Sequence, residues 1–150
     1  MATEDPAVDA EPKHADWSIE EVGVLVQYLH DHHAEWGDTG NFHQSTYANA
    51  AGHICLLHVS GKIKDHKNVS IKWGAIKQTY NAIITYRSKS GKHWDNEHGA
   101  NISGALAGEN WSKYVTGNAL MRPFHNKGWE YIDFLEDIFL QGGATGVHAF

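Results

Sequence analysis

"NVSIKWGAIKQTYNAII", residues 68–84, sets Val69, Trp73, Ile76, Tyr80 and Ile83 at steps of four, three, four and three. That spacing keeps returning to one side of a 3.6-residue turn, so it predicts an amphipathic helix with one apolar stripe. Asp65 can cap it, and the pattern runs from about His66 to about Arg87. Opposite the stripe lie Lys67, Ile71, Gly74, Gln78 and Asn81, with Ser70 and Lys77 on one shoulder and Lys72 on the other. The fold therefore turns on a long third helix, and the function on what its polar, lightly basic face meets.

Two helices precede it. In "DWSIEEVGVLVQYLHDHH", Ser18 and Glu21 have capping-box spacing, and Val22, Leu25, Val26 and Leu29 form a buried stripe that should run out between His33 and Trp36. "STYANAAGHICLL" predicts a short second helix, capped by Ser45, with Tyr47, Ala50, Ala51 and Ile54 inward. Beyond the third helix, "SKSGKHW" reads as a turn, and "ENWSKYV" and "GWEYIDFLEDIF" predict two shorter helices separated by a Pro-kinked "MRPFHNKG". Trp129, Ile132, Phe134 or Leu135, and Phe139 share a face of the last one. Trp94, Trp111 and Trp129 should form a small second cluster under the third helix rather than a ligand cage. No strand pattern competes, so the expected class is all-α: a three-helix core with one or two short C-terminal helices.

Composition suits one domain. The chain has 150 residues, 41% hydrophobic and 20% charged, with 6 Trp as core anchors. Residues 1–15, acidic and bearing Pro6 and Pro12, read as a disordered arm, 16–140 as the folded domain, and 141–150 as a flexible tail. The start lacks a signal-peptide pattern and no window reaches transmembrane length, which predicts a soluble, intracellular protein with no membrane partner. Three Asn-x-Ser matches, at Asn68, Asn101 and Asn110, are then chance.

The net charge of -6 is unevenly spread. Residues 62–92 carry Lys62, Lys64, Lys67, Lys72, Lys77, Arg87, Lys89 and Lys92 against Asp65 alone, while residues 1–38 are strongly acidic. Eight of the 12 basic side chains thus surround the third helix. A helix entering the DNA major groove needs short polar side chains for base edges and basic groups for phosphates. Gln78 and Asn81 suit adenine, Ile71 suits a thymine methyl, and Gly74 allows close approach. A plain solvated helix face is the competing reading.

Other chemistries find less support. Cys55 sits in apolar "HICLLHV" and is expected to be a small core residue, with nothing nearby to activate a thiol. "HDHH" brings His30 and His33 together, but too few ligands converge for zinc, and exposed imidazoles at a helix C-terminus explain the cluster. "SKSGKHW" lacks the first glycine of a phosphate loop. No nucleophile, base and acid are joined in a motif, so no catalytic residue, cofactor, metal or small-molecule substrate is expected.

The succession Trp17, Tyr47 and Trp73, with "KW" inside a long third helix, resembles the Myb/SANT-like DNA-binding domain family. Ser90 and Gly91, Trp94 and Asp95, Gly99 and Ala100, the "PFHNKGW" stretch at 123–129, and Tyr131 with Asp133 resemble the extension of its fungal branch. The resemblance covers residues 16–140 and implies a helix-turn-helix variant whose third helix reads the major groove. It matches Lys72 and Trp73 to the family's Lys-Trp pair, Trp17 to the first core Trp, and Asp65 to the helix cap. Ile71 stands where relatives often carry Asn, and Tyr47 where a Trp is usual. The expectation is a nuclear, non-enzymatic protein bound to double-stranded DNA, concerned with transcription regulation or derived from a transposon. Lys67, Ser70, Ile71, Lys72, Gly74, Lys77, Gln78 and Asn81 would be its contacts, and Lys62, Lys64, Lys89 and Lys92 its candidate phosphate contacts. The alternative is a SANT-type protein-interaction module whose acidic arm and first helix engage chromatin tails or a transposase partner.

Overall fold

A computed structural model describes residues 16–35, 41–58 and 62–141; the expected acidic arm and residues 142–150 of the expected tail lie outside them. The described residues form five α-helices and two short 3-10 segments, and no strand beyond isolated bridge positions at Phe42 and at Asp95–Gly99. We label the helices α1 (Ile19–Asp31), α2 (Gln44–Cys55), α3 (His66–Arg87), α4 (Ala105–Thr116) and α5 (Ile132–Gln141), with the 3-10 segments at His33–Glu35 and Ala119–Phe124. The all-α expectation holds, and α3 has the bounds its periodicity predicts.

Two helices start on reciprocal caps. The Ser18 hydroxyl accepts from the Glu21 amide while the Glu21 carboxylate accepts from the Ser18 amide. Asp65 and Asn68 repeat the arrangement at α3. Each box satisfies backbone donors that the first helical turn leaves free. α2 departs from expectation: His43 occupies the cap position and makes no side-chain cap bond, so Ser45 lies inside the helix and is exposed. α1 also ends earlier than predicted, at Asp31, and Val22 on its stripe is half-buried.

The helices close around a single apolar core. Leu25, Val26 and Leu29 of α1, Tyr47, Ala50 and Ile54 of α2, and Val69, Trp73, Ile76, Tyr80 and Ile83 of α3 are all buried. α5 belongs to the same core: its Phe139 stacks on Tyr80 at 4.8 Å and lies 6.4 Å from Trp73. The last helix is thus part of the bundle, packed on both α1 and α3, rather than an appendage. Its wholly apolar inner row, Ile132, Leu135, Ile138 and Phe139, needs that cover.

The expected second cluster is present and joins the first. Phe124 receives Trp94 and Trp129 edge-on, and Trp111 packs edge-on against Tyr86 at the end of α3. The loop at 95–102 is laced to 124–128 by backbone bonds from Ala100 to Phe124, Ile102 to His125 and Gly128 to Glu97. This approach leaves no room for side chains at Gly99 or Gly128, where a Cβ would overlap the carbonyl oxygens of Lys127 and Asn96 respectively. Pro123 lies within the Ala119–Phe124 segment, where the tighter 3-10 turn replaces an α-helix.

Candidate nucleic-acid interface

α3 is anchored along one side and open along the other. Its outward row consists of Lys67, Ile71, Ala75, Gln78 and Asn81, all exposed, and Ile71 is 72% exposed. Gly74 lies beside them, and a side chain there would meet nothing within 4 Å. Five of the predicted contacts, Lys67, Ile71, Gly74, Gln78 and Asn81, therefore share one solvent-facing strip. Two hydrogen-bonding amides, an aliphatic group and a lysine on a rigid helix can meet base edges and a phosphate together.

The shoulders are more constrained. Ser70 is half-buried and directs its side chain to the buried Tyr47 hydroxyl. Lys77 donates to Asn41 Oδ1 at 2.8 Å, with its ammonium 5.9 Å from the Trp73 ring. Lys72 lies 5.8 Å over the Trp17 ring on the other shoulder. Burial pulls both ammonium groups below the ordinary lysine range. Their stems extend the core, with the charges at the rim of the strip. Trp17, expected in the core, is half-buried and closes this rim beneath Lys64 and Lys72.

Among the flanking lysines the structure corrects one assignment. Lys64 is not a phosphate contact: it is 4% exposed and donates to Glu21 Oε2 at 3.0 Å. The capping carboxylate of α1 must be buried against the start of α3, and an uncompensated charge there would be costly. Burial raises the Glu21 carboxyl, but the Ser18 amide, the Lys64 ammonium and the Ser18 hydroxyl together hold it below its ordinary value. Lys89 and Lys92 remain exposed at the far end of α3, and Lys62 is half-buried at the near end. Arg87 is paired to Glu136 at 2.8 Å.

Two further expectations fail. Cys55 is exposed, because α2 turns its last residue outward. The histidines at the end of α1 are half-buried, not free: His30 Nε2 lies 2.5 Å from Asp137 Oδ2 on α5, His32 stacks on Tyr28 at 3.9 Å, and His33 Nδ1 is 2.8 Å from the His30 carbonyl. No group of three or more His, Cys, Asp or Glu among the described residues could hold a metal ion. No described helix is long and apolar enough to cross a membrane.

Two concavities bear on function, neither of them expected from the sequence. One is an open groove of about 650 Å³ between α1 and the end of α2, floored by Val24, Tyr28 and Leu57 and rimmed by Glu20, Asp31 and His53. The other lies beyond the C-terminal end of α3, against Trp111 and Tyr114. The first needs the end of α2 to complete a face of α1, and the second needs α3, α4 and the loop between them, so spacing along one helix does not reveal either as a concavity. No family model, curated protein or solved structure matches this chain.

Proposed function

We propose that this chain is a non-enzymatic protein that binds double-stranded DNA by laying α3 in the major groove, as the Myb/SANT-like resemblance implies. One observation carries the reading: Lys67, Ile71, Gln78 and Asn81 are exposed along a single strip of the helix whose other side is the centre of the core. A 22-residue helix is about 33 Å long, and the major groove, about 12 Å wide, admits one. Gln78 and Asn81 pair with adenine edges and Ile71 meets a thymine methyl. Lys62 and Lys67 at one end and Lys89 and Lys92 at the other reach phosphates. A nuclear protein of transcription regulation, or one derived from a mobile element, is the setting this activity fits.

Fluorescence anisotropy on random duplex DNA tests it. Four phosphate contacts predict a fall of log K with log salt of slope about -3 to -4. The combined Lys67→Ala, Gln78→Ala and Asn81→Ala variant should weaken binding by at least about tenfold. Absence of binding at low salt, or indifference to that variant, refutes the proposal.

The groove between α1 and α2 favours a second reading, a SANT-type module for chromatin tails or a transposase partner. Its charged rim residues are Glu20 and Asp31, complementary to a basic segment with apolar anchors. Gly23 opens into it with nothing within 4 Å of a Cβ, so Gly23→Leu would obstruct the groove without touching the core. Capture of a histone-tail peptide that this substitution abolishes, with no affinity for duplex DNA, would decide for this reading.

A further inference from the structure

The pocket beyond the C-terminal end of α3 combines three aromatic rings with a lysine. It encloses about 270 Å³ and brings together Tyr86 from α3, Trp111 and Tyr114 from α4, and Lys92 from the intervening loop. Tyr86 is edge-on to Trp111 at 5.6 Å and to Tyr114 at 5.3 Å, while Trp111 and Tyr114 stack on each other at 6.3 Å. The Lys92 ammonium lies 5.5 Å from the Tyr114 ring and 6.0 Å from Tyr86. Asn101, Ser103 and Asn110 add hydrogen-bonding groups to the lining, which contains no acidic residue.

This wall is held in place before any ligand arrives. Amides of Ala100 and Ile102 donate to the Phe124 and His125 carbonyls at 2.9 and 3.1 Å, fixing the loop against the Ala119–Phe124 segment. His125 in turn packs edge-on to Trp111 at 5.9 Å. Asn101 between these bonds has φ of 53°, a left-handed conformation that asparagine tolerates better than most residues. Tyr86 and Trp111 are 2% and 6% exposed, so they form a rigid floor, while half-buried Tyr114 presents a usable ring.

Aromatic walls alone would suit either a cation or a planar ring. Charge decides between them: Lys92 already occupies the cation position over the rings, and Lys89 stands nearby in sequence with no carboxylate in the lining. A second cation is repelled, and an anion bearing a flat ring is attracted. The volume lies just below the range of about 300–1,000 Å³ usual for drug-sized ligands, enough for one ring and its anionic group. We propose that this pocket binds a single unpaired nucleotide: Lys92 swings from the Tyr114 face to the phosphate, and the base takes its place against Tyr114 over the Trp111 floor. Asn101 and Asn110 then meet the base edge, as side-chain amides do for splayed-out bases. The nucleotide is either free or part of a strand; the recognition chemistry is the same, and apart from Lys92, which the duplex reading also uses, it does not depend on α3 reading duplex DNA.

Calorimetric titration of the full chain with deoxyadenosine monophosphate, adenosine and inorganic phosphate tests this, with amide chemical shifts locating the site. Saturable binding of the monophosphate is expected, with each fragment weaker by about tenfold or more, because ring and phosphate are both used. Lys92→Ala should cost about tenfold and Lys92→Arg should restore binding, since both retain an exposed loop residue and only one retains the charge. A single-stranded oligonucleotide and a duplex with an unpaired end form the second arm. In the Lys67→Ala, Gln78→Ala, Asn81→Ala variant, which removes the proposed duplex contacts, tighter binding of these than of the free nucleotide assigns the site to strand ends or unpaired bases; equal or weaker binding assigns it to free nucleotides. Shifts that map away from Tyr114 and Asn110, indifference to Lys92→Ala, or no saturable binding in either arm overturns the proposal. Gln78→Ala with Asn81→Ala must leave monophosphate binding unchanged, which separates this site from the face of α3.

Discussion

Lys64 Nζ and Glu21 Oε2 meet at 3.0 Å with both side chains 1% exposed, joining the first turn of α1 to the residue just before the cap of α3. Glu21 also closes the α1 capping box, so one carboxylate serves three donors. Removing one partner strands a buried charge. Lys64→Ala should cost about 3–5 kcal/mol, whereas the paired replacement Glu21→Gln with Lys64→Met should cost less than that, since apolar replacement of a whole buried pair is often close to neutral. Urea denaturation of the two variants reads the difference, and equal losses would refute it.

Acid should unfold the protein through this group and two others. Glu21, Asp65 and Asp95 all have carboxyl groups lowered in the folded state; hydrogen bonds from the Asn68 and His98 amides are the leading causes at the latter two. The unfolded chain therefore binds more protons in the acid range, and stability rises with pH there. The contribution is complete above the ordinary carboxylate values, 4.5 for Glu21 and 3.8 for the aspartates, and is lost as pH falls through the lowered folded values. Urea midpoints measured against pH should climb and then level off near these values. The Glu21→Gln, Lys64→Met variant should climb less.

Phe139 ties the last helix to the third. Its ring is nearly parallel to Tyr80 and also stacks toward Trp73, so Phe139→Ala removes a shared anchor of α3 and α5. A loss of about 3–5 kcal/mol is expected. If α5 were a mere appendage, near-ultraviolet circular dichroism of the α3 aromatics would be unchanged in this variant; a reduced signal is the expected outcome.

Gly128 and Gly74 make an opposed pair. Gly128→Ala forces a methyl group into the Asn96 carbonyl and should cost about 1–3 kcal/mol or more. Gly74→Ala meets open space inside a helix and should stabilise by about 0.5–1 kcal/mol. Thermal melts of the two single variants should move in opposite directions.

These contrasts also show what one dimension of sequence can carry. The row at Val69, Trp73, Ile76, Tyr80 and Ile83, the Ser18–Glu21 box and the Asp65 cap are local, so periodicity and capping chemistry specify them, while the reciprocal bond from Asn68 emerges only in the structure. Lys64 reads like Lys62 in "GKIKDHK", because its partner lies 43 residues away. Cys55 has apolar neighbours yet is exposed, because helix phase, not local hydrophobicity, sets which side a residue faces. The outward strip of α3 was legible for the same reason its inward row was. The pocket of Tyr86, Lys92, Trp111 and Tyr114 was not, since it exists only once the loop at 95–102 is laced to 124–128.

Ile71 is the sharpest probe of the proposed interface. It is 72% exposed in the middle of the α3 strip, where an aliphatic side chain contributes little to folding. Ile71→Ala should therefore leave stability within about 0.5 kcal/mol, as surface substitutions usually do. Against DNA the loss should be selective. A methyl contact is worth more at thymine than at any other base, so the variant should lose affinity for its best site and tolerate replacement of that thymine better than the parent does. Ile71→Asn should shift preference toward adenine at the same step, because an amide there can pair with the N6 and N7 edge. Selection from a random duplex pool with parent and both variants measures this directly. Three identical preferences would remove Ile71 from the DNA-reading surface and favour a protein partner for this strip.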